Sequence, residues 1–365
     1  MVLSALGLAA CGGDDDASAF SVAGRTASDS PSGENAGAAP SGGTSSGGSS
    51  TSSGGIAAPP SPNAPSSDET PGAQAGLLTA GVWDDNLNFE FYKKYIGLSS
   101  NLAGLPSFSI TEREQARAQW TARGAKTELD IAFLLDTTGS MGDELKYIQK
   151  EIDGIAQSIK DKHPQMTARF GLVLYRDHGD AYLTRELDFT GLDEFKAKLD
   201  EQSVGGGGDY PEAVEEGLAA TLKLSWRAGS VARMAFWVAD APHHHGDEGS
   251  VKDSILGAAA KDVHIYPVAA SGSDERTEFT MRTAAQMTGG RYVFLTDDSG
   301  VGNAHAEPKI PCYHVTRFDG ALVRMVESEL TGQHVQPDAK AILRSVGNPV
   351  NGQCATKSSG TVSIY

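Results

Sequence analysis

Ile131-Ala132-Phe133-Leu134-Leu135, followed at once by Asp136-Thr137-Thr138-Gly139-Ser140, is the stretch that sets the fold. An unbroken apolar run suits a strand buried on both faces, since a half-exposed strand would alternate apolar with polar residues. The polar segment ends that strand. Beyond it Leu145, Ile148, Ile152, Ile155 and Ile159 recur at spacings of three and four, which lines one face of a helix.

The pattern continues downstream. Residues 170–175, 234–239, 263–269 and 292–295 read as strands, with 182–189 as a hairpin partner. Residues 192–199, 212–224, 251–260, 275–287 and 315–330 read as helices. Such alternation predicts an α/β fold: a doubly wound, mostly parallel sheet with one antiparallel edge strand and helices on both faces. Ligands of these sheets sit in the crevice beyond the carboxyl ends of the strands, which is where Asp136 to Ser140 falls.

That segment is rich in hard oxygen donors. Asp136, Thr138 and Ser140 stand at alternate positions, and carboxylates and hydroxyls are what Mg²⁺ and Ca²⁺ select. Read alone it fits a helix cap equally well, Ser140 pairing with Asp143. Two later segments bear on the choice. Gly205-Gly206-Gly207-Gly208-Asp209-Tyr210-Pro211-Glu212 is a glycine-rich loop that brings Asp209 to a helix start, and Phe236-Trp237-Val238-Ala239-Asp240 ends a buried strand in a carboxylate. Each has a plainer reading, Asp209 with Glu212 as a capping pair and Asp240 as a cap for the next turn. Three acidic segments on one edge of one sheet favour a shared ion.

Residues 128 to about 332 resemble a von Willebrand factor type A (VWA) domain. Asp136 to Ser140 match the family's D-x-[ST]-x-S loop and Asp240 its later aspartate. Gly207 to Glu212 are similar to the G-G-D-x-P-E loop of a subgroup with hemicentin-like and alpha-kinase-associated members. Tyr175-Arg176-Asp177 match the subgroup's Y-R-D strand end. The resemblance implies a Rossmann-like fold with a metal-ion-dependent adhesion site for Mg²⁺, or Mn²⁺ or Ca²⁺. Thr138 and Ser140 would bind through their hydroxyls, Asp136 and Asp240 mostly through water. Asp209 stands where many members carry threonine. A third carboxylate would hold the cation more firmly and lessen its pull on an acidic ligand. The implied role is non-catalytic binding of a protein or glycan partner.

His178 and Asp180, just past a strand end, and His243 and His244, just past Asp240, are candidates for the rim of a partner surface. The plainer readings are an Arg176–Asp177 ion pair and a solvated histidine loop. One rival is a serine hydrolase, with Thr138-Gly139-Ser140-Met141-Gly142 as a nucleophile elbow and Asp240 followed by His264, His305 or His314. The elbow lacks its first glycine, and no segment reads as an oxyanion hole. Another rival is a structural scaffold whose metal only stabilises the fold. No G-x-x-x-x-G-K-[ST] loop occurs, which argues against a nucleotide, and a net charge of −17 argues against nucleic acid.

Leu8-Ala9-Ala10-Cys11 resembles the lipobox of bacterial lipoproteins, although no Lys or Arg precedes the short apolar run. It implies a signal peptide at 1–10, lipidation of Cys11, and a place in the bacterial cell envelope, at the outer membrane given Gly12. Residues 11–76, rich in Gly, Ser and Pro and nearly devoid of aromatic residues, read as a disordered tether. Residues 77–126 read as a short pre-domain segment, 127–332 as the VWA domain and 333–365 as a C-terminal tail. An exported chain permits a disulfide between Cys312 and Cys354, which would pin that tail; the alternative is two separate buried thiols.

Overall fold

The computed structural model describes residues 76–85, 103–120, 124–356 and 360–365. Cys11 and the tether up to residue 75 lie outside the described residues. The strands are β1 (Thr79–Trp83), β2 (Glu128–Asp136), β3 (Thr167–Tyr175), β4 (Thr184–Thr190), β5 (Val231–Ala239), β6 (Val263–Ala269), β7 (Tyr292–Leu295), β8 (Tyr313–Arg317), β9 (Arg344–Val346), β10 (Gln353–Thr356) and β11 (Gly360–Ser363). The helices are α1 (Ile110–Trp120), α2 (Leu145–Lys162), α3 (Leu192–Asp200), α4 (Val214–Lys223), α5 (Glu248–Ala260), α6 (Glu275–Thr288) and α7 (Phe318–Thr331). No helix among the described residues is long and apolar enough to cross a membrane.

Nine strands form one sheet in the order β4-β3-β2-β5-β6-β7-β1-β8-β9. The run from β3 to β7 is parallel, and β4 lies antiparallel along one edge. β2 sits between β3 and β5, with Ile131 level with Phe170 on one side and Met234 on the other. Successive residues of β2 therefore bury on opposite faces. Ile131, Phe133 and Leu135 pack with the apolar stripe of α2 and with α7, while Ala132 and Leu134 pack with α4, α5 and α6.

The sheet extends further than the sequence pattern indicates. β1, from the stretch read as a pre-domain segment, is fully buried and lies antiparallel between β7 and β8. Gly81 makes this possible, because a Cβ there would collide with the Phe294 ring. Arg282 of α6, itself buried, pairs with Asp85 just past β1 and with Glu278 at 2.7 Å, which locks the strand to the domain. The predicted helix at 315–330 begins only at Phe318, because Val315 and Thr316 belong to β8 and pair with β1. Their β-branched side chains suit the pleat better than a helix. In the tail, β9 adds the last antiparallel strand. Cys312 and Cys354 are disulfide-bonded, with Cα atoms 5.8 Å apart.

Candidate metal centre

Three loops meet at the carboxyl end of the parallel strands. Asp136 ends β2 fully buried, its Oδ1 accepting the Thr138 backbone N–H at 2.9 Å and the Thr138 hydroxyl at 2.7 Å. The Thr138 and Ser140 hydroxyl oxygens are 3.2 Å apart. Residues Gly139–Asp143 form a 3-10 turn whose N-cap, Thr138, makes no side-chain capping bond. Asp143 instead accepts the Asn303 backbone N–H and side-chain amide, at 2.7 and 2.6 Å. The capping-box reading of Ser140 with Asp143 therefore does not describe this turn.

In the second loop Asp209 and Glu212 take different places. Asp209 is exposed on the glycine loop, whereas Glu212 is buried beside Thr138, whose hydroxyl favours its ionised form. The path of the loop explains why. Gly207 has a φ of +74°, and a Cβ there would press on Glu212 Oε1 at 3.0 Å and on Thr138 Cβ at 3.2 Å. Gly139 N–H bonds Gly206 O at 3.1 Å, and Asp180 accepts the Gly207 N–H at 2.9 Å, so the loop is folded over the Thr138 turn. Glu212 caps no helix: α4 starts at Val214 and its N-cap, Ala213, offers no side-chain bond. The acid of this loop that lies against the Thr138 turn is thus Glu212, three positions after Asp209.

Asp240 follows β5 and is buried, and the nearby Ser140 hydroxyl favours its ionised form. Asp136 Oδ2, Asp240 Oδ1 and Glu212 Oε2 are all buried without a hydrogen-bond partner of ordinary geometry. Buried acceptors left in this state cost free energy, and neighbouring like charges raise one another's carboxyls. Burial, then the charge of Asp240, pushes the Asp136 carboxyl up to about 7, against the pull of its Thr138 bonds. Burial raises Asp240 to about 6, opposed by Ser140 and helped by Glu144 and Asp143. Burial, then Asp136 and Asp177, raises Glu212 to about 9. Two adjacent hydroxyls with buried carboxylates near them offer the oxygen chemistry that a hard divalent cation selects, the carboxylates acting through water where they stand apart. The residues present fit such an ion.

The proposed rim is only partly on the surface. His178 is exposed, and His244 is partly exposed with its Nε2 2.6 Å from Asp177 Oδ1. His243 is buried beneath the loop, because residue 243 bridges to Glu212 and is drawn inward with it. Asp180 also accepts the Asp177 N–H at 3.2 Å, so it braces the turn. Arg176 bonds Ser203 O at 2.8 Å and stacks on Tyr182, so it is not paired with Asp177 as a plain ion pair would require. The histidines of the hydrolase reading have other partners. His305 sits between Glu144 and Asp297 at 2.7 and 2.8 Å, His264 between Glu329 and Asp262 at 2.9 and 3.1 Å, and His314 faces Ser345 at 2.8 Å.

Residues 130–302 match the model of the von Willebrand factor A domain family. The match takes in Asp136, Thr138, Ser140, Glu212 and Asp240, so the whole centre lies within the matched residues. The chain is 31% identical over 155 residues to the alpha-protein kinase vwkA of Dictyostelium discoideum, covering 42% of this chain and 24% of that protein. It is 24% identical over 188 residues to the ariadne-like RING finger protein R811 of Acanthamoeba polyphaga mimivirus, covering 46% and 18%. The chain thus spans about a quarter or less of these relatives' lengths. Among solved structures, BatB from Bacteroides thetaiotaomicron aligns with a TM-score of 0.38 at 14% identity, covering 56% of this chain and 98% of that one. The pilus adhesin SpaC from Lactobacillus rhamnosus GG aligns with a TM-score of 0.33 at 13% identity, covering 46% and 28%.

Proposed function

We propose that the VWA segment is a divalent-cation-dependent, non-catalytic binding module that presents Mg²⁺ or Mn²⁺ to a protein or glycan partner. The observation that carries this reading is the set of buried, unpartnered oxygens on Asp136, Glu212 and Asp240 beside the Thr138 and Ser140 hydroxyls. When bound, the ion supplies positive charge at the sheet edge and an open position for a partner's oxygen. Thr138 and Ser140 offer hydroxyl oxygens, and Asp136 holds Thr138 in place. Three carboxylates outweigh the two charges of the ion, so the partner needs contacts beyond a single carboxylate. His178 and His244, at the same edge, are suited to provide them.

Binding rather than hydrolysis is favoured because His264, His305 and His314 are engaged with partners other than Ser140. On the same reading Cys11 is the lipid anchor and residues 11–76 the tether that holds the module off the bacterial envelope. Palmitate-analogue labelling that survives Cys11→Ala would remove the anchor. Calorimetry with Mg²⁺ and Mn²⁺ tests the centre: heats from the wild type that vanish in Asp136→Ala and Asp240→Ala are expected, and equal heats from all three proteins would sink the reading. A partner that binds equally well after the cation is chelated would reduce the metal to a structural support.

A further inference from the structure

A second group of metal-ligating side chains lies outside the Asp136 centre. His178 is on the turn after β3, Glu215 in the first turn of α4, and Asp247 is the N-cap of α5. One ligand atom from each lies within 4.8 Å of the others. Glu215 is only 6% exposed, with Oε1 3.2 Å from His178 Nε2 and Oε2 buried without a partner. The negative charge of Asp247 also bears on Glu215. A buried carboxylate facing a second acid is costly unless something positive comes between them.

We propose that His178, Glu215 and Asp247 form a second metal site, for a zinc-class transition ion, separate from the Mg²⁺ centre. The imidazole decides the class, because nitrogen suits Zn²⁺ while Mg²⁺ keeps to oxygen. Both carboxylates stand at helix N-termini, where the dipole favours the ionised form that binds metal. A tetrahedral ion with bonds of about 2.1 Å holds its ligands about 3.4 Å apart. The group must therefore draw in, and the exposed His178 side chain, already 3.2 Å from Glu215, is the part with room to do so. His244, whose ring centroid is 5.7 Å from that of His178 and whose Nε2 is held by Asp177, stands on the same side. Water completes the coordination shell.

The test uses the full chain with Mg²⁺ at saturation, titrated calorimetrically with Zn²⁺. One equivalent should bind to the wild type and to Asp136→Ala, which separates this site from the first. His178→Ala and Asp247→Asn should each weaken Zn²⁺ by at least about tenfold, the scale of a lost ligand or its support. Both positions reach the surface, so both variants should fold; His245→Ala should bind as the wild type does. Co²⁺ in place of Zn²⁺ should give a visible absorption band that His178→Ala lacks. The proposal is overturned by no Zn²⁺ heat in the wild type, by unchanged affinity in both His178→Ala and Asp247→Asn, or by loss that follows Asp136→Ala or His245→Ala instead.

Discussion

Glu212→Gln separates the structural account from the sequence account, and its effect can be worked from the geometry. In the metal-free protein the Glu212 carboxyl is raised to about 9 from an ordinary 4.5, by burial and by Asp136 and Asp177. A carboxyl raised on folding keeps its proton in the native state while the unfolded chain has lost it. Stability therefore falls as pH climbs from about 4.5 towards 9. At pH 8 the span above 4.5 corresponds to a ceiling of roughly 5 kcal/mol. Asp136 and Asp240 remain in the variant, so the released part is smaller, about 1–3 kcal/mol, the scale of one buried unsatisfied group. Glu212→Gln should thus be more stable than the wild type at pH 8 without metal, and the gap should shrink towards pH 5. With Mg²⁺ the gap should close or reverse: the wild type gains about 2.7 kcal/mol at a hundredfold excess over Kd, and the variant gains little. Urea melts at pH 5 and pH 8, with EDTA or with Mg²⁺, read both effects, with Asp209→Asn as the control expected to follow the wild type. A full Mg²⁺ response in Glu212→Gln, or its loss in Asp209→Asn, would refute the assignment.

Three further outcomes test the frame around the centre. Arg282→Met should cost about 3–5 kcal/mol in urea unfolding, because it leaves Asp85 and Glu278 without their buried cation. Reducing or removing the Cys312–Cys354 bond, which spans 42 positions, should cost about 4 kcal/mol in the chain-entropy account, measured as the fall in ΔG between oxidised and reduced protein. Glu151 accepts the Leu77 and Leu78 N–H groups at 2.6 and 3.1 Å, and burial raises its carboxyl to about 7. Wild-type stability should therefore drop as pH rises from about 4.5 to 7. Glu151→Gln, whose carbonyl can still accept both bonds, should flatten that part of the pH–stability curve.

The central sheet was legible because each parallel strand is short, apolar and followed by a periodic helix, as in Ile131–Leu135 and Leu145–Ile159. β1 was not legible. Thr79-Ala80-Gly81-Val82-Trp83 has no alternation, and its partners lie more than 200 positions away in β7 and β8. The Val315–Thr316 segment misled for the same reason, since pairing with β1 overrides its continuity with the helix that follows. At the centre, Asp136, Thr138, Ser140 and Asp240 were readable as oxygen donors at strand ends. Choosing between Asp209 and Glu212 depends on the path of a glycine loop, and only the folded loop places Glu212 against Thr138 and leaves Asp209 exposed. The mixed group of His178, Glu215 and Asp247 comes from three separate elements and left no local spacing to find.

Anomalous diffraction from crystals grown with Mn²⁺ addresses the cation site most directly. A peak among Asp136, Thr138, Ser140, Glu212 and Asp240, absent in Asp136→Ala crystals, is the predicted result. No peak there, or a peak on Asp209 with Glu212 turned away, would contradict it.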